Sequence, residues 1–159
     1  MRKTNAARIL DQMKLSYELK EYPVDESDLS AVAVAQKVEL PVQQIYKTIV
    51  ARGDKTGVIV ACIQGDLELH LKGLAALSGN KKVEVVPLKE VQPLTGYIRG
   101  GVSPLGMKKS YPTFIDSAVT SQEKISISAG LRGLQIFLRP SDLIMAAKAQ
   151  VGKIATEPS

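Results

Sequence analysis

One cysteine and one histidine, Cys62 and His70, occur in the 159 residues. A lone cysteine excludes an intramolecular disulfide and a cysteine-cluster zinc site, and it fits a reducing compartment. A lone histidine excludes a two-histidine metal site of the H-E-x-x-H kind. No stretch approaches 18 consecutive apolar residues, so no membrane-spanning helix is expected. The start, Met1-Arg2-Lys3-Thr4-Asn5-Ala6, carries charge but no apolar signal core follows it, which makes the cytoplasm the expected location. Internal repeats and low-complexity tracts are absent as well.

What is present describes a folded domain. The length suits one domain over residues 1–159, and 45% apolar with 23% charged residues lies far from disordered compositions. A net charge of +5 favours a polyanionic partner without requiring one. Helical spacing of Ala6, Ile9, Leu10 and Met13 predicts a first helix over 4–15, and alternation predicts a strand from Tyr17 until Pro23 halts it. Acidic residues 25–28 lead into a second helix over 29–38. Two apolar runs, 45–51 and 58–63, flank a turn-like segment and predict a central hairpin.

Further helices are expected over 71–77, in a short piece at 88–91, and from Pro140 to Ala149. Strands are expected over 113–116, 124–128 and 134–138, and the tail from about residue 152 is expected to fray. Strands with helices at both ends and no regular βαβ alternation predict a mixed α/β domain with a curved or barrel-like sheet.

Strand alternation places Lys47 on one face with Ile45 and Ile49. Two readings fit equally. The lysine is either a cation inside a cleft, suited to a phosphate or a polarised carbonyl, or an edge-strand gatekeeper that snorkels to water. Residues 95–112 contain Gly96, Gly100, Gly101, Pro104, Gly106 and Pro112, too many breakers for a regular element and too few polar residues for a linker. The loop Gly100-Gly101-Val102-Ser103-Pro104-Leu105-Gly106 is neither a Walker A loop nor a G-x-S-x-G elbow. It fits a plain turn network or a loop that offers backbone N–H groups to an anion. His70 and Cys62 read as packing residues rather than as base and nucleophile. Lys81, Lys82, Arg99, Lys108, Lys109 and Arg132 could line a groove for a nucleic-acid backbone or serve solubility.

Three segments together, Ile45-Tyr46-Lys47-Thr48-Ile49-Val50, the stretch from Thr95-Gly96-Tyr97 through Gly106 to Lys108-Lys109, and Ile127-Ser128-Ala129-Gly130-Leu131-Arg132-Gly133-Leu134, resemble the YbaK/EbsC family of aminoacyl-tRNA deacylases. The resemblance runs from about Ala6 to the last helix. It implies a freestanding editing enzyme, related to the insertion domain of bacterial prolyl-tRNA synthetases, that cleaves cysteine from proline tRNA without metal or organic cofactor. Editing answers the small free-energy difference, about 1–3 kcal/mol, by which a pocket separates near-isosteres. In this family the substrate's own thiol is thought to attack the ester, which would account for the missing nucleophile.

Carried over by motif, Lys47, Gly100 and Gly101 would do the catalytic work, and Tyr22, Ser103, Ser128 and Gln135 would line the substrate pocket. The basic residues named above would meet the tRNA, and prolyl-tRNA synthetase is an implied partner. Gln135 stands where the family often has an acid, and Ala129 replaces a common glycine. Alternatives are a deacylase for another small amino acid, such as alanine on proline tRNA, and a non-catalytic module that binds tRNA or a synthetase.

Overall fold

A computed structural model describes residues 3–158; Met1 and Arg2 of the charged start, and Ser159, lie outside the described residues. Helix α1 (Asn5–Gln12) starts where Thr4 Oγ1 accepts a hydrogen bond from the Ala7 N–H at 3.2 Å. Helix α2 (Ala31–Val38) starts in the same way at Ser30, whose Oγ accepts from Ala33 N–H. Each cap satisfies one of the N–H groups a helix start leaves unpaired. Helix α3 (Leu71–Ser78) is capped by His70, whose Nδ1 accepts from the Gly73 N–H. That contact gives the single histidine a structural role.

Helix α4 (Leu88–Thr95) is longer than its sequence pattern suggested and contains Pro93, while α5 (Pro140–Ala147) opens with proline at its first position.

The strands form three ladders rather than one barrel. The largest has five strands in the order β5 (Val83–Val85), β2 (Tyr46–Gly53), β3 (Gly57–Gln64), β6 (Thr113–Asp116) and β9 (Gln150–Gly152). Strands β2 and β3 are the expected hairpin, while β3–β6 and β6–β9 are parallel. A second, antiparallel ladder joins β1 (Glu18–Glu21), β8 (Leu134–Leu138) and β7 (Ile125–Leu131), and a third joins β4 (Glu68–Leu69) to β10 (Ala155–Thr156).

The expectation of a barrel-like sheet is thus corrected: β5 and β9 end the large sheet without meeting each other. The tail also differs from expectation. Residues 150–156 supply β9 and β10, and Ile154 between them is fully buried. Asp116 holds that tail, since its Oδ1 accepts from the N–H groups of Ile154 and Ala155, both at 3.0 Å, and its Oδ2 from Ala118 N–H and Gln64 Nε2. Four donors thus satisfy the oxygens of this buried side chain.

Two faces of β2 explain the core. Tyr46 and Cys62 pack with α1, α5 and the β7–β8 ladder, around Leu10, Ile127, Ile136 and Leu143. On the other face, Ile49 and Ala51 join Ile63, Phe114 and Leu74 of α3. A third, smaller cluster lies under α2, where Val34, Ala35 and Val38 meet Ile45.

Candidate active site

Strand β2 pairs with β3 along its whole length, but with β5 only over Ala51–Gly53. At its other end, Ile45 forms a single parallel bridge to Ser126 of β7. Between those contacts β5 and β7 diverge from β2, and a crevice of about 720 Å³ opens along residues 46–50. That volume is in the range of small-molecule sites, roughly 300–1,000 Å³.

Its walls come from four places: Leu29 to Ala31 and Val34 at the start of α2, Val85, Val86, Leu88 and Val91 on and around β5 and α4, Arg99, Gly100 and Val102 of the glycine loop, and Ser128 with Gln135 on β7 and β8. The apolar majority lowers the dielectric around the few polar groups, which strengthens each of them.

Lys47 is one of those groups. It is half-buried, and its Nζ donates to the Gly65 carbonyl at 3.3 Å. Burial pulls its pKa below the ordinary lysine value, opposed by the carboxylates of Asp66 and Glu68. Lys47 therefore lines the crevice with one side-chain bond among the described residues and with donors to spare.

Gly100 lies in the same crevice at φ +85°, a left-handed conformation that strains any other residue. Gly101 does not share its position. Its N–H donates to the Ile98 carbonyl at 2.8 Å, and its Cα packs on the backbone of Leu131 and Arg132. Of the two glycines, Gly100 thus lines the crevice and Gly101 does not. Ser103 is fully buried and its Oγ accepts from the Leu105 N–H at 3.3 Å, so it shapes the loop from within. Tyr97 fastens the same loop, donating to the Leu105 carbonyl at 2.7 Å.

Ser128 and Gln135 are direct cross-strand partners, both buried at the crevice floor. Gln135 Oε1 accepts from Ser126 Oγ at 2.8 Å, which fixes the amide, and its Nε2 has no protein partner among the described residues. Tyr22 stands outside the crevice. Its ring supports the small cluster under α2, with the Lys37 ammonium 6.0 Å from its centroid.

The basic residues separate. Arg99 lines the crevice, and Arg132 lies behind it, its Nε donating to the Arg99 carbonyl at 2.7 Å and its guanidinium 3.8 Å from Glu26. Lys108 lies beside Gly96 at the end of α4, its N–H bonded to the Thr95 carbonyl; Lys109 follows it and is exposed. Lys81 and Lys82 sit at the far end of β2, where their N–H groups bind Asp54 and Lys82 pairs with Glu84. At about 3.4 Å per strand residue that is roughly 20 Å from Lys47.

Sequence reasoning missed the apolar wall of Val85, Val86, Leu88 and Val91 and the start of α2. One signal was available: Val85 and Leu88 are apolar yet more than half exposed, as the rim of a ligand site is. Among the described residues, no hydroxyl lining the crevice is hydrogen-bonded to a base that would activate it. Cys62 is buried, and burial raises its thiol pKa to about 12.

A family model described as the aminoacyl-tRNA editing domain matches residues 26–146. A protein of Enterococcus faecalis, provisionally named Cys-tRNA(Pro)/Cys-tRNA(Cys) deacylase EbsC, is 45% identical over 98% of this chain and 94% of its own length. Part of the proline–tRNA ligase of Brachyspira hyodysenteriae is 31% identical over 50% of this chain, which spans 14% of that ligase. Among solved structures, one provisionally described as a trans-editing enzyme for prolyl-tRNA synthetase superposes with a TM-score of 0.82 at 25% identity, covering 98% of this chain and 99% of that one. A hypothetical protein superposes at 0.87 with 22% identity over 96% of this chain and 100% of its own, a likeness of fold.

Proposed function

The chain belongs to the aminoacyl-tRNA editing family, and from that premise we propose that it hydrolyses the ester of cysteine mischarged onto proline tRNA. The supporting observation is a crevice that holds an ammonium, a conformationally special glycine and polar floor groups but no activated nucleophile. Such a site orients and stabilises, and it leaves the attack to the substrate.

In this reading the cysteine thiol loses its proton and its sulfur attacks the ester carbonyl carbon. The bond from that carbon to the ribose oxygen breaks, and the oxygen leaves as a hydroxyl carrying a proton. The acyl group departs as a four-membered thiolactone, which water opens to free cysteine. Lys47 stabilises the negative charge that develops on the carbonyl oxygen, and Gly100 lets the terminal nucleoside approach the backbone. Ser128 and the fixed Gln135 amide line the amino-acid end, while Gly101, Ser103 and Tyr22 hold the loop and α2 in place. Arg99, supported by Arg132, with Lys108 and Lys109, meets the acceptor stem, and Lys81 and Lys82 extend the basic surface. Recapture of released product makes prolyl-tRNA synthetase the fitting partner, and the cytoplasm the fitting location.

The test is deacylation by the purified chain across cysteinyl-, alanyl- and prolyl-tRNA(Pro). Cleavage of the cysteinyl ester alone is expected. Equal cleavage of the alanyl ester would remove the thiol from the mechanism, and tight tRNA binding without cleavage of any ester would select a binding module.

A further inference from the structure

The crevice has one set of polar groups to which the proposed mechanism gives no task, the main chain of β2 itself. The directions of these groups follow from their neighbours. The Ile45 carbonyl accepts from the Gly65 N–H, so odd-numbered residues turn their N–H and C=O toward β3. The Val50 carbonyl accepts from the Val86 N–H, so even-numbered residues turn theirs the other way, toward β5. Because pairing with β5 begins only at Ala51, the N–H and C=O of Thr48 and the N–H of Val50 point into the crevice. Among the described residues no ladder register on this side of β2 includes Thr48: pairing with β5 covers Ala51–Gly53, and the bridge to β7 is at Ile45.

An unpaired strand edge in a protein is ordinarily covered, charged or used. Here it is uncovered, and it is enclosed by apolar walls that make an unmade hydrogen bond costly. What completes such an edge is an extended segment bearing a donor and an acceptor. In an antiparallel ladder one hydrogen-bonded pair exchanges both bonds between two residues, each giving its N–H and its C=O. An aminoacyl ester is one residue with an amino group and a carbonyl in that same relation.

We infer that the amino acid of the substrate pairs with Thr48 as a one-residue antiparallel strand, its α-ammonium donating to the Thr48 carbonyl and its ester carbonyl accepting from the Thr48 N–H. This inference rests on the reading of the chain as an editing deacylase and adds the element that recognises the aminoacyl group. Recognition through the main chain registers any α-amino acid, and the choice among amino acids is left to the side chain. Paired residues project their side chains to the same face of a sheet. The substrate's thiol therefore lies beside the Thr48 side chain, and its carbonyl is one residue along the strand from Lys47.

Two measurements test the pairing. The first compares cysteinyl-tRNA(Pro) with the same tRNA esterified by 3-mercaptopropionate, which keeps the thiol and the ester and lacks the amine. Loss of one transition-state donor or its positioning costs about 100-fold in such sites, and a drop of that size in kcat/KM is expected for the amine-free ester. Equal cleavage of both esters overturns the pairing and leaves the deacylase reading standing; cleavage of neither overturns that reading itself. The second uses the non-cleavable amide of cysteine with 3′-amino-3′-deoxyadenosine. When this analogue binds, hydrogen exchange at the Thr48 amide should slow about tenfold or more, a change that follows closure of an exposed bond. Perturbation of Gly100 by the analogue with unchanged exchange at Thr48 overturns the inference.

Discussion

The two ends of β2 solve opposite problems with the same strand. At its turn end two side chains, Asn80 and Asp54, gather the hydrogen bonds. Asn80 Oδ1 accepts from the N–H groups of Lys55 and Thr56, its Nδ2 donates to Thr56 Oγ1 and Ser78 Oγ, and Asp54 accepts from Lys81 and Lys82. At its other end the strand keeps an open edge and a half-buried cation with a single long bond. A saturated corner specifies one structure, and an unsaturated one is ready for a ligand. The difference teaches where stability ends and function begins along eight residues.

The strongest way to break that comparison is at Lys47. Lys47→Ala should lower kcat for cysteinyl-tRNA(Pro) by about 100-fold or more, the effect of removing a group that meets charge only in the transition state. Stability should move the other way. Burial holds the folded pKa of Lys47 below its unfolded value, so at neutral pH the fold bears the cost of a desolvated ammonium. That cost is relieved as pH rises through the depressed folded pKa. Lys47→Met should accordingly melt at a higher temperature than the parent at pH 7, and the gap should narrow in alkaline buffer. In the parent, enzymatic deacylation corrected for spontaneous hydrolysis should fall over that same alkaline range. A Lys47→Met chain that is both inactive and less stable would place the lysine in the saturated class.

Asn80 is the matching probe at the other end. Truncation to alanine leaves the N–H groups of Lys55 and Thr56 without their acceptor and opens space against Gly53, whose Cα approaches the Asn80 side chain closely. A loss of about 2–3 kcal/mol is expected in urea unfolding, from the buried hydrogen bonds removed. The kcat of the folded fraction should stay at the parent value, since the corner is roughly 20 Å from Lys47 along the strand. A fall in kcat for fully folded Asn80→Ala would join the two ends into one unit.

How far the sequence reveals this arrangement depends on whether a feature is local. The alternation around Lys47 is local, and it placed the lysine on the face it occupies with Ile49. The breaker-rich stretch after Thr95 is local too, and it forms an ordered loop. The crevice is not local. It exists because β5 stops pairing at Ala51 and β7 bridges this edge only at Ile45, and both facts depend on partners far away in the chain. The same holds for the tail, whose β9 and β10 are three and two residues long and are ordered by Asp116 from another strand. Gly100 and Gly101 look alike in sequence, yet a turn bond to Ile98 occupies the N–H of Gly101, while Gly100 lines the crevice. Tyr22 is legible as a strand end, but its ring is directed by α2, whose position no local pattern gives.

The smallest expected effect is at Cys62, and it sharpens the contrast most directly, because the residue faces inward from β3 opposite Thr48. Its thiol is within 3.9 Å of Thr48 Oγ1, close enough to raise the question of whether the protein supplies the sulfur. Burial answers it: a thiol whose pKa is raised to about 12 presents almost no thiolate at pH 7, and only the thiolate attacks. Native protein should resist iodoacetamide at neutral pH and react once unfolded. Cys62→Ala should leave kcat on cysteinyl-tRNA(Pro) within about twofold and lower stability by about 1 kcal/mol, the ordinary cost of a small core truncation. Loss of turnover in a folded Cys62→Ala chain would move the attacking sulfur from the substrate to the enzyme, and the open end of β2 would then serve to position a ligand for a protein nucleophile.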